Sequence, residues 1–332
     1  MPNLACLRRL FATLTAILAS LTTVIPAAAQ SWPNRPLTMV VPYAPGGSTD
    51  LIARLIAPRL SLALGQPVLV ENMAGIGGIA GVSRVARAAP DGYQFIVGNV
   101  GTHAQNQFLF TYPPYDAAAE FAPVALLVEQ AMVLTLRPDI PVDRLGDFMA
   151  HLRTHQSSMK YASAGFGSPT HLACALLNAV LGIDIRHVSY RGGSPASRDL
   201  IAGKVDYFCS NLAAIKPHIE AGRVKASAVL SRARTRSLPT VPTAQEQGLK
   251  DFEATNWLGL FLPSATPEPI VERLNAATVR ALADQALQDQ LRVLGAEPVT
   301  AERNTNERLL AFLAQERAKW SAVIRGASIR LE

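Results

Sequence analysis

From residue 37 onward, short apolar runs alternate with longer stretches whose apolar residues recur every three or four positions. Leu37-Thr38-Met39-Val40-Val41 is such a run; a glycine-rich loop follows, and then Leu51, Ile52, Leu55 and Ile56 stand at helical spacing. The pattern predicts a strand, a loop and a helix, with Pro58 expected to kink that helix. Val68-Leu69-Val70 reads as a second strand. Gly75, Gly77 and Gly78 lead from it into a helix ending near Ala88, and Phe95-Ile96-Val97 is a third strand. Residues 123–136 form a long apolar run of strand character, stopped by Pro138 and Pro141 ahead of a helix at 145–154.

The same grammar then repeats. A strand at 160–163, a glycine loop, a helix from Thr170, a strand at 186–190, a second glycine turn and a helix at 195–202 are followed by strands at 205–210 and 224–230. Asn256-Trp257-Leu258-Gly259-Leu260-Phe261 reads as a strand that returns to the first half, and amphipathic helices at 268–286 and 302–325 close the chain. Alternating strands and helices predict an α/β fold of two lobes, each a mostly parallel sheet flanked by helices. Lobe 1 is assigned to residues 30–130 and 254–332 and lobe 2 to residues 131–253. Two crossings between lobes make a hinge with a cleft.

The first residues follow a different pattern. Arg8 and Arg9 precede an apolar run at 10–24, and Ala27, Ala28 and Ala29 offer small residues for processing, so 1–29 reads as a secretory signal cleaved near Ala29. Cys6 lies ahead of the apolar run, where no lipidation signal is read. The mature chain keeps Cys174 and Cys209; a bridge is allowed in an exported protein, with two buried free thiols as the default. Loss of Arg8 and Arg9 lowers the formal charge of +6 to +4. The remaining basic residues form no run, which argues against a nucleic-acid surface.

Four loops carry the candidate chemistry. Pro42-Tyr43-Ala44-Pro45-Gly46-Gly47-Ser48-Thr49-Asp50 joins a strand to a helix, where free backbone N–H groups attract anions. Tyr43 offers a ring to stack on a ligand, Gly46 and Gly47 allow close backbone approach, and Ser48 and Thr49 offer hydroxyls; Asp50 reads as a cap. Ser163-Ala164-Gly165-Phe166-Gly167-Ser168-Pro169-Thr170-His171 has the same form, with His171 read as a buried structural histidine. Asn99 and Thr102 follow the third strand, and Tyr190-Arg191-Gly192 follows a strand in the second half. Each segment also suits an ordinary capped turn.

Other chemistries fit less well. Gly75-Ile76-Gly77-Gly78-Ile79-Ala80 approximates a dinucleotide fingerprint, yet Asn99 stands where an acidic residue is needed, so no cofactor is expected. Gly192-Gly193-Ser194-Pro195-Ala196 resembles a nucleophile elbow, which leaves an exported hydrolase using Ser194 as the alternative function. His151 and His155 are spaced for a metal, but Arg153 between them favours a solvated helix face, and no metal is expected.

The motifs together resemble a known family. They are Pro42 to Asp50, Leu64-Gly65-Gln66-Pro67-Val68 with Glu71-Asn72, Ala89-Pro90-Asp91-Gly92-Tyr93, Tyr161 to Gly165 with Gly167-Ser168 and His171-Leu172, Tyr190-Arg191-Gly192, Val241-Pro242-Thr243 and Trp257-Leu258-Gly259-Leu260. Seven motifs in register identify the chain as similar to the Bug-type extracytoplasmic solute receptors of tripartite tricarboxylate transporters. The resemblance implies a type II-like periplasmic binding protein, monomeric, that closes on a small carboxylic acid and serves membrane transporter subunits or, as an orphan, a sensor. It also implies that one carboxylate is held by Tyr43, Gly46, Gly47 and Ser48 on one lobe, with Ala44 beside them in the expected site, and by Ser163, Ala164, Gly165 and Ser168 on the other. Asn99, Thr102, Tyr190 and Gly192 complete the expected site.

Overall fold

The computed structural model of the chain describes residues 32–327 and Ile329, so the signal segment read at 1–29 lies outside the described residues. From Arg35 onward the described residues form one compact unit. Its first half runs β1 (Leu37–Val41), α1 (Ser48–Leu64), β2 (Val68–Asn72), α2 (Ile79–Ala86), β3 (Gln94–Asn99), a π-helical turn at Gly101–Gln105 and the short α3 (Asn106–Leu109). The long β4 (Phe121–Leu136) leads into α4 (Leu145–His155), β5 (Lys160–Ser163), α5 (Pro169–Leu181), β6 (Arg186–Ser189), α6 (Gly193–Ile201), β7 (Tyr207–Asn211), α7 (Leu212–Glu220) and β8 (Lys225–Val229). The chain returns through β9 (Thr255–Pro263) to α8 (Glu268–Leu282), α9 (Gln285–Val293), β10 (Ala296–Pro298) and α10 (Asn306–Gly326).

The strand order is β2-β1-β3-β9-β4-β7-β5-β6, with β8 and β10 also paired to β4. The outer strands of each half are parallel: β1 lies between β2 and β3, and β5 between β6 and β7. Antiparallel pairs fill the centre, because β9 brings the chain back against both β3 and β4. β1 is apolar along almost its whole length and nearly all buried, as a strand covered on both faces must be. One apolar cluster gathers Val40, Ile96, Leu126, Phe261 and Trp320, and a second gathers Leu134, Phe148, Cys174, Tyr207 and Phe252. β4 joins the two halves: its residues through Ala131 pair with β9, and from Met132 onward they pair with β7 and β8.

Local differences from the sequence reading have physical causes. α1 runs as helix from Ser48 to Leu64 through Pro58. The helix expected at 268–286 is two helices, because Asp284 takes the N-cap position of α9 and accepts from the Leu287 N–H at 2.7 Å. The helix expected from residue 302 begins at Asn306; Asn304 instead accepts from the Leu126 N–H and donates to the Leu126 carbonyl, which ties that turn to β4. Cys174 and Cys209 are bridged rather than free. α5 packs on β7 with the two Cα atoms 5.5 Å apart, inside the span a disulfide needs. Among the described residues no helix is long and apolar enough to cross a membrane.

Candidate functional site

Four helices start at one place. α1 begins after Gly47, α6 after Gly192 and α7 after Asn211, and none of these three N-cap residues uses a side chain to cap its helix. Helix geometry leaves the first-turn N–H groups of each without an intrahelical acceptor. α5 differs, since the Ser168 hydroxyl accepts from the His171 N–H at 3.2 Å. The starts of all four line one cavity: Gly47, Ser48 and Thr49 from α1, Pro169 and Thr170 from α5, Gly193 from α6, and Asn211 with Ala214 from α7. Tyr43, Asn99, Ala164, Phe208 and Ser210 complete the lining. No lining residue is charged, and each helix N-terminus that meets there contributes the equivalent of roughly half a positive charge. The cavity measures about 20 Å³, room for one water, and must widen to take a metabolite.

The first-lobe wall is held by a buried polar chain. The Tyr43 hydroxyl donates to the Gly77 carbonyl at 3.0 Å and accepts from Asn99 Nδ2 at 2.9 Å. Asn99 and Thr102 exchange bonds in turn: the Thr102 N–H donates to Asn99 Oδ1, and the Asn99 N–H donates to Thr102 Oγ1. His103 Nδ1 lies 2.9 Å from Thr102 Oγ1, and its ring stacks on Phe261. Burial, with Arg317 nearby, drives His103 down to about 3 and keeps it neutral, while burial pushes the Tyr43 phenol well above its usual range. Ser48 donates its hydroxyl to Gln130 Oε1 at 2.6 Å, so the group it leaves for a ligand is its N–H. Asp50 acts as a brace. Burial raises its pKa, but bonds from Arg54, the Gly46 N–H and Asn72 outweigh burial and hold it below the usual carboxylate range.

The second glycine loop turns its polar groups inward. The Ala164 N–H donates to Thr170 Oγ1, the Gly165 N–H to Ser163 Oγ, the Gly167 N–H to His171 Nδ1 and the Ser168 N–H to the Gly165 carbonyl. Ser163 Oγ also meets His187 Nε2 at 2.7 Å, and His187 stacks on His171 at 4.1 Å. Burial lowers His171 to about 3, with the neighbouring His187 adding to the effect, and lowers His187 to about 4. The loop meets the first lobe through its backbone. Gly77, at φ +62°, lies so close that a Cβ there would run into the Phe166 carbonyl, and a Cβ on Gly165 would stand 2.7 Å from the Gly77 nitrogen. The Ala44 N–H donates to the Arg191 carbonyl at 3.0 Å, a second point where the lobes join.

The sequence-derived residues therefore fall into three groups, with Tyr190 apart from all of them. Tyr43, Gly47, Ser48, Asn99 and Ala164 line the cavity. Ala44 and Gly192 lie in the seam between lobes, and Gly46, Thr102, Ser163, Gly165 and Ser168 hold the surrounding loops by the bonds given above. Tyr190 donates its hydroxyl to Asp199 at 2.8 Å, and its side chain is not part of the lining. Thr49, whose hydroxyl the sequence also offered to a ligand, lines the cavity as well, and the lining residues that sequence reasoning did not single out are Pro169, Thr170, Gly193, Phe208, Ser210, Asn211 and Ala214. The last four belong to a strand-to-helix junction concealed by the short α7, whose Pro217 breaks the helical pattern.

Ser194 sits against Gly46, and among the described residues no histidine hydrogen-bonds to it. The Ser163–His187 pair lacks an orienting acid, since His187 Nδ1 has no partner. His151 and His155 stack at the exposed end of α4, and among the described residues no group of three or more histidine, cysteine or acidic side chains is placed to hold a metal.

Residues 52–329 match the family described as the tripartite tricarboxylate transporter family receptor. Protein BugT of Bordetella pertussis is 33% identical over 325 residues, covering 98% of this chain and 99% of that protein. The structure of the periplasmic binding protein BugD superposes with a TM-score of 0.87 at 35% identity, covering 91% of this chain and all of that one. MatC of Rhodopseudomonas palustris, solved with bound malate, gives 0.86 at 41% identity over 88% of this chain and all of that one.

Proposed function

We propose, from the premise that this chain belongs to the tripartite tricarboxylate transporter receptor family, that its two lobes close over one carboxylate group held at converging helix N-termini. The observation that carries this reading is the cavity itself: four helix starts, three of them without side-chain caps, and no charged lining residue. Such a site favours an anion through oriented N–H groups and helix dipoles. The donors are the first-turn N–H groups of α1, α6 and α7, with Tyr43, Asn99 and Ala164 shaping the walls. Ala44, Gly46, Thr102, Ser163, Gly165, Ser168, Tyr190 and Gly192 act through loop geometry and closure.

The lobes divide at residues 130/131 and 253/254, a division supported by the change of β4 partners between Ala131 and Met132 and by the start of β9 at Thr255. The receptor works as a monomer in the periplasm after cleavage near Ala29 and delivers its ligand to membrane subunits. Calorimetric titration of the purified mature protein with short mono- and dicarboxylates, aromatic acids and acidic amino acids tests this. One acid should bind tightly and raise the unfolding temperature by mass action. Failure of every carboxylate to bind would overturn the reading.

A further inference from the structure

Two amide side chains line a groove of about 670 Å³ and each is hydrogen-bonded to a residue of the cleft cavity. They are Gln130 on β4 and Asn256 on β9, direct register partners of the antiparallel pair that joins the lobes. Register partners present their side chains on one face of the sheet, with Cβ atoms about 5 Å apart. Each amide uses one of its two polar atoms on a residue that lines the cavity. Gln130 Oε1 accepts from Ser48 Oγ at 2.6 Å, and Asn256 Nδ2 donates to Asn211 Oδ1 at 3.1 Å.

The other atom of each amide is unmet. Gln130 Nε2 and Asn256 Oδ1 have no hydrogen-bond partner and are shut off from solvent, in residues only 3% and 1% exposed. Buried polar groups are almost always satisfied, so a leftover donor beside a leftover acceptor calls for a partner able to serve both. A carboxylate oxygen only accepts and an ammonium only donates; a hydroxyl does both at once. Neither amide lines the cavity as it stands, but each unmet atom shares an amide carbon with an atom bonded to a lining residue, Ser48 or Asn211, which sets the pair directly behind the lining that must give way when the cavity widens.

We infer that Gln130 and Asn256 are specificity-determining residues that read a hydroxyl on the ligand, which donates to Asn256 Oδ1 and accepts from Gln130 Nε2. The inference rests on the carboxylate reading above and narrows it to hydroxy acids. The carboxylate lies at the helix starts while the hydroxyl seats on the two crossing strands, so a correct ligand bridges both lobes and the hinge.

The test is calorimetric titration of the mature protein with acids that differ only by a hydroxyl: malate against succinate, and lactate against propionate. The hydroxy member of at least one pair should bind about 10- to 100-fold tighter, the cost of leaving a buried donor and acceptor without their partner. Gln130→Met and Asn256→Leu should each bring that ratio toward one. The ratio is the readout because a merely structural role weakens both members alike and leaves the ratio unchanged, and the comparison on the unaltered protein stands even if a variant misfolds. Equal binding within both pairs overturns the inference while leaving the carboxylate reading intact. A failure of all four acids together with every other carboxylate removes both.

Discussion

The two glycine loops look alike in sequence and differ in what they do with their hydrogen-bonding groups. Both follow a parallel strand, both open a helix, and both pair small residues with serine and threonine. In the loop before α1, Gly47 brings no capping side chain, and the Ser48 hydroxyl is tied to Gln130, so the helix start stays open. In the loop before α5, Ser168 caps the helix, Pro169 has no N–H to offer, and His171, Thr170 and Ser163 accept from the remaining loop amides. The first loop leaves its helix start open; the second closes its polar groups on itself and meets the opposite lobe. A shared strand-glycine-helix pattern therefore marks a place where a site can form, and the fate of each N–H decides whether one does.

Acid should break this difference most strongly. His103, His171 and His187 are all held neutral below their usual range, so the unfolded chain takes up protons that the folded chain refuses. Stability is then fully present above about pH 6.5 and falls as pH drops toward 4, with about 2–3 kcal/mol lost per pH unit from His103 and His171 alone. His171 Nδ1 must stay unprotonated to accept from Gly167, so residues 163–171 should gain hydrogen exchange first. Residues 42–50 rest on Asp50, whose depressed pKa keeps its contribution until stronger acid. Exchange measured from pH 7 to pH 4 checks the order; simultaneous opening of both loops would contradict it.

Gly47→Asp sharpens the comparison from the other side. The backbone at Gly47 is extended, and a Cβ there meets its nearest neighbours at 3.6 Å, so the substitution fits. Its carboxylate would cap α1 as Ser168 caps α5, and it would occupy and repel the anion site. Carboxylate affinity should fall by about 100-fold, about 2.7 kcal/mol, while the unfolding temperature stays level or rises. A ligand that binds this variant as well as the parent would place the anion elsewhere.

Much of this was legible in the sequence. The apolar runs located β1, β3, β5 and β9, and the loop chemistry located Tyr43, Gly47, Ser48, Asn99 and Ala164 in one cavity. Three things were hidden. The junction at Ser210 and Asn211 carries no glycine, and Pro217 obscures the helix behind it. The pairing of Cys174 with Cys209 depends on how α5 lies on β7, which no local pattern encodes. The inward turn of the second loop depends on His187, a residue on a different strand whose partnership with Ser163 arises only in the folded sheet.

The smallest effect isolates the second loop's own role. Ser168→Ala removes the α5 cap and its contact with Thr170 while leaving every first-lobe residue in place. Loss of such a cap costs about 1 kcal/mol of stability. Pro169 follows directly and presents no donor, so the only helix N–H set free is that of His171, one turn into α5. If the second loop acts by shape, carboxylate affinity should change by no more than about 2-fold, well under the 1.4 kcal/mol of a tenfold effect, while the unfolding temperature drops. If Ser168 instead grips the ligand directly, affinity should fall at least tenfold with the same loss of stability. Paired titration and thermal unfolding of this single variant separates a loop that binds from one that closes.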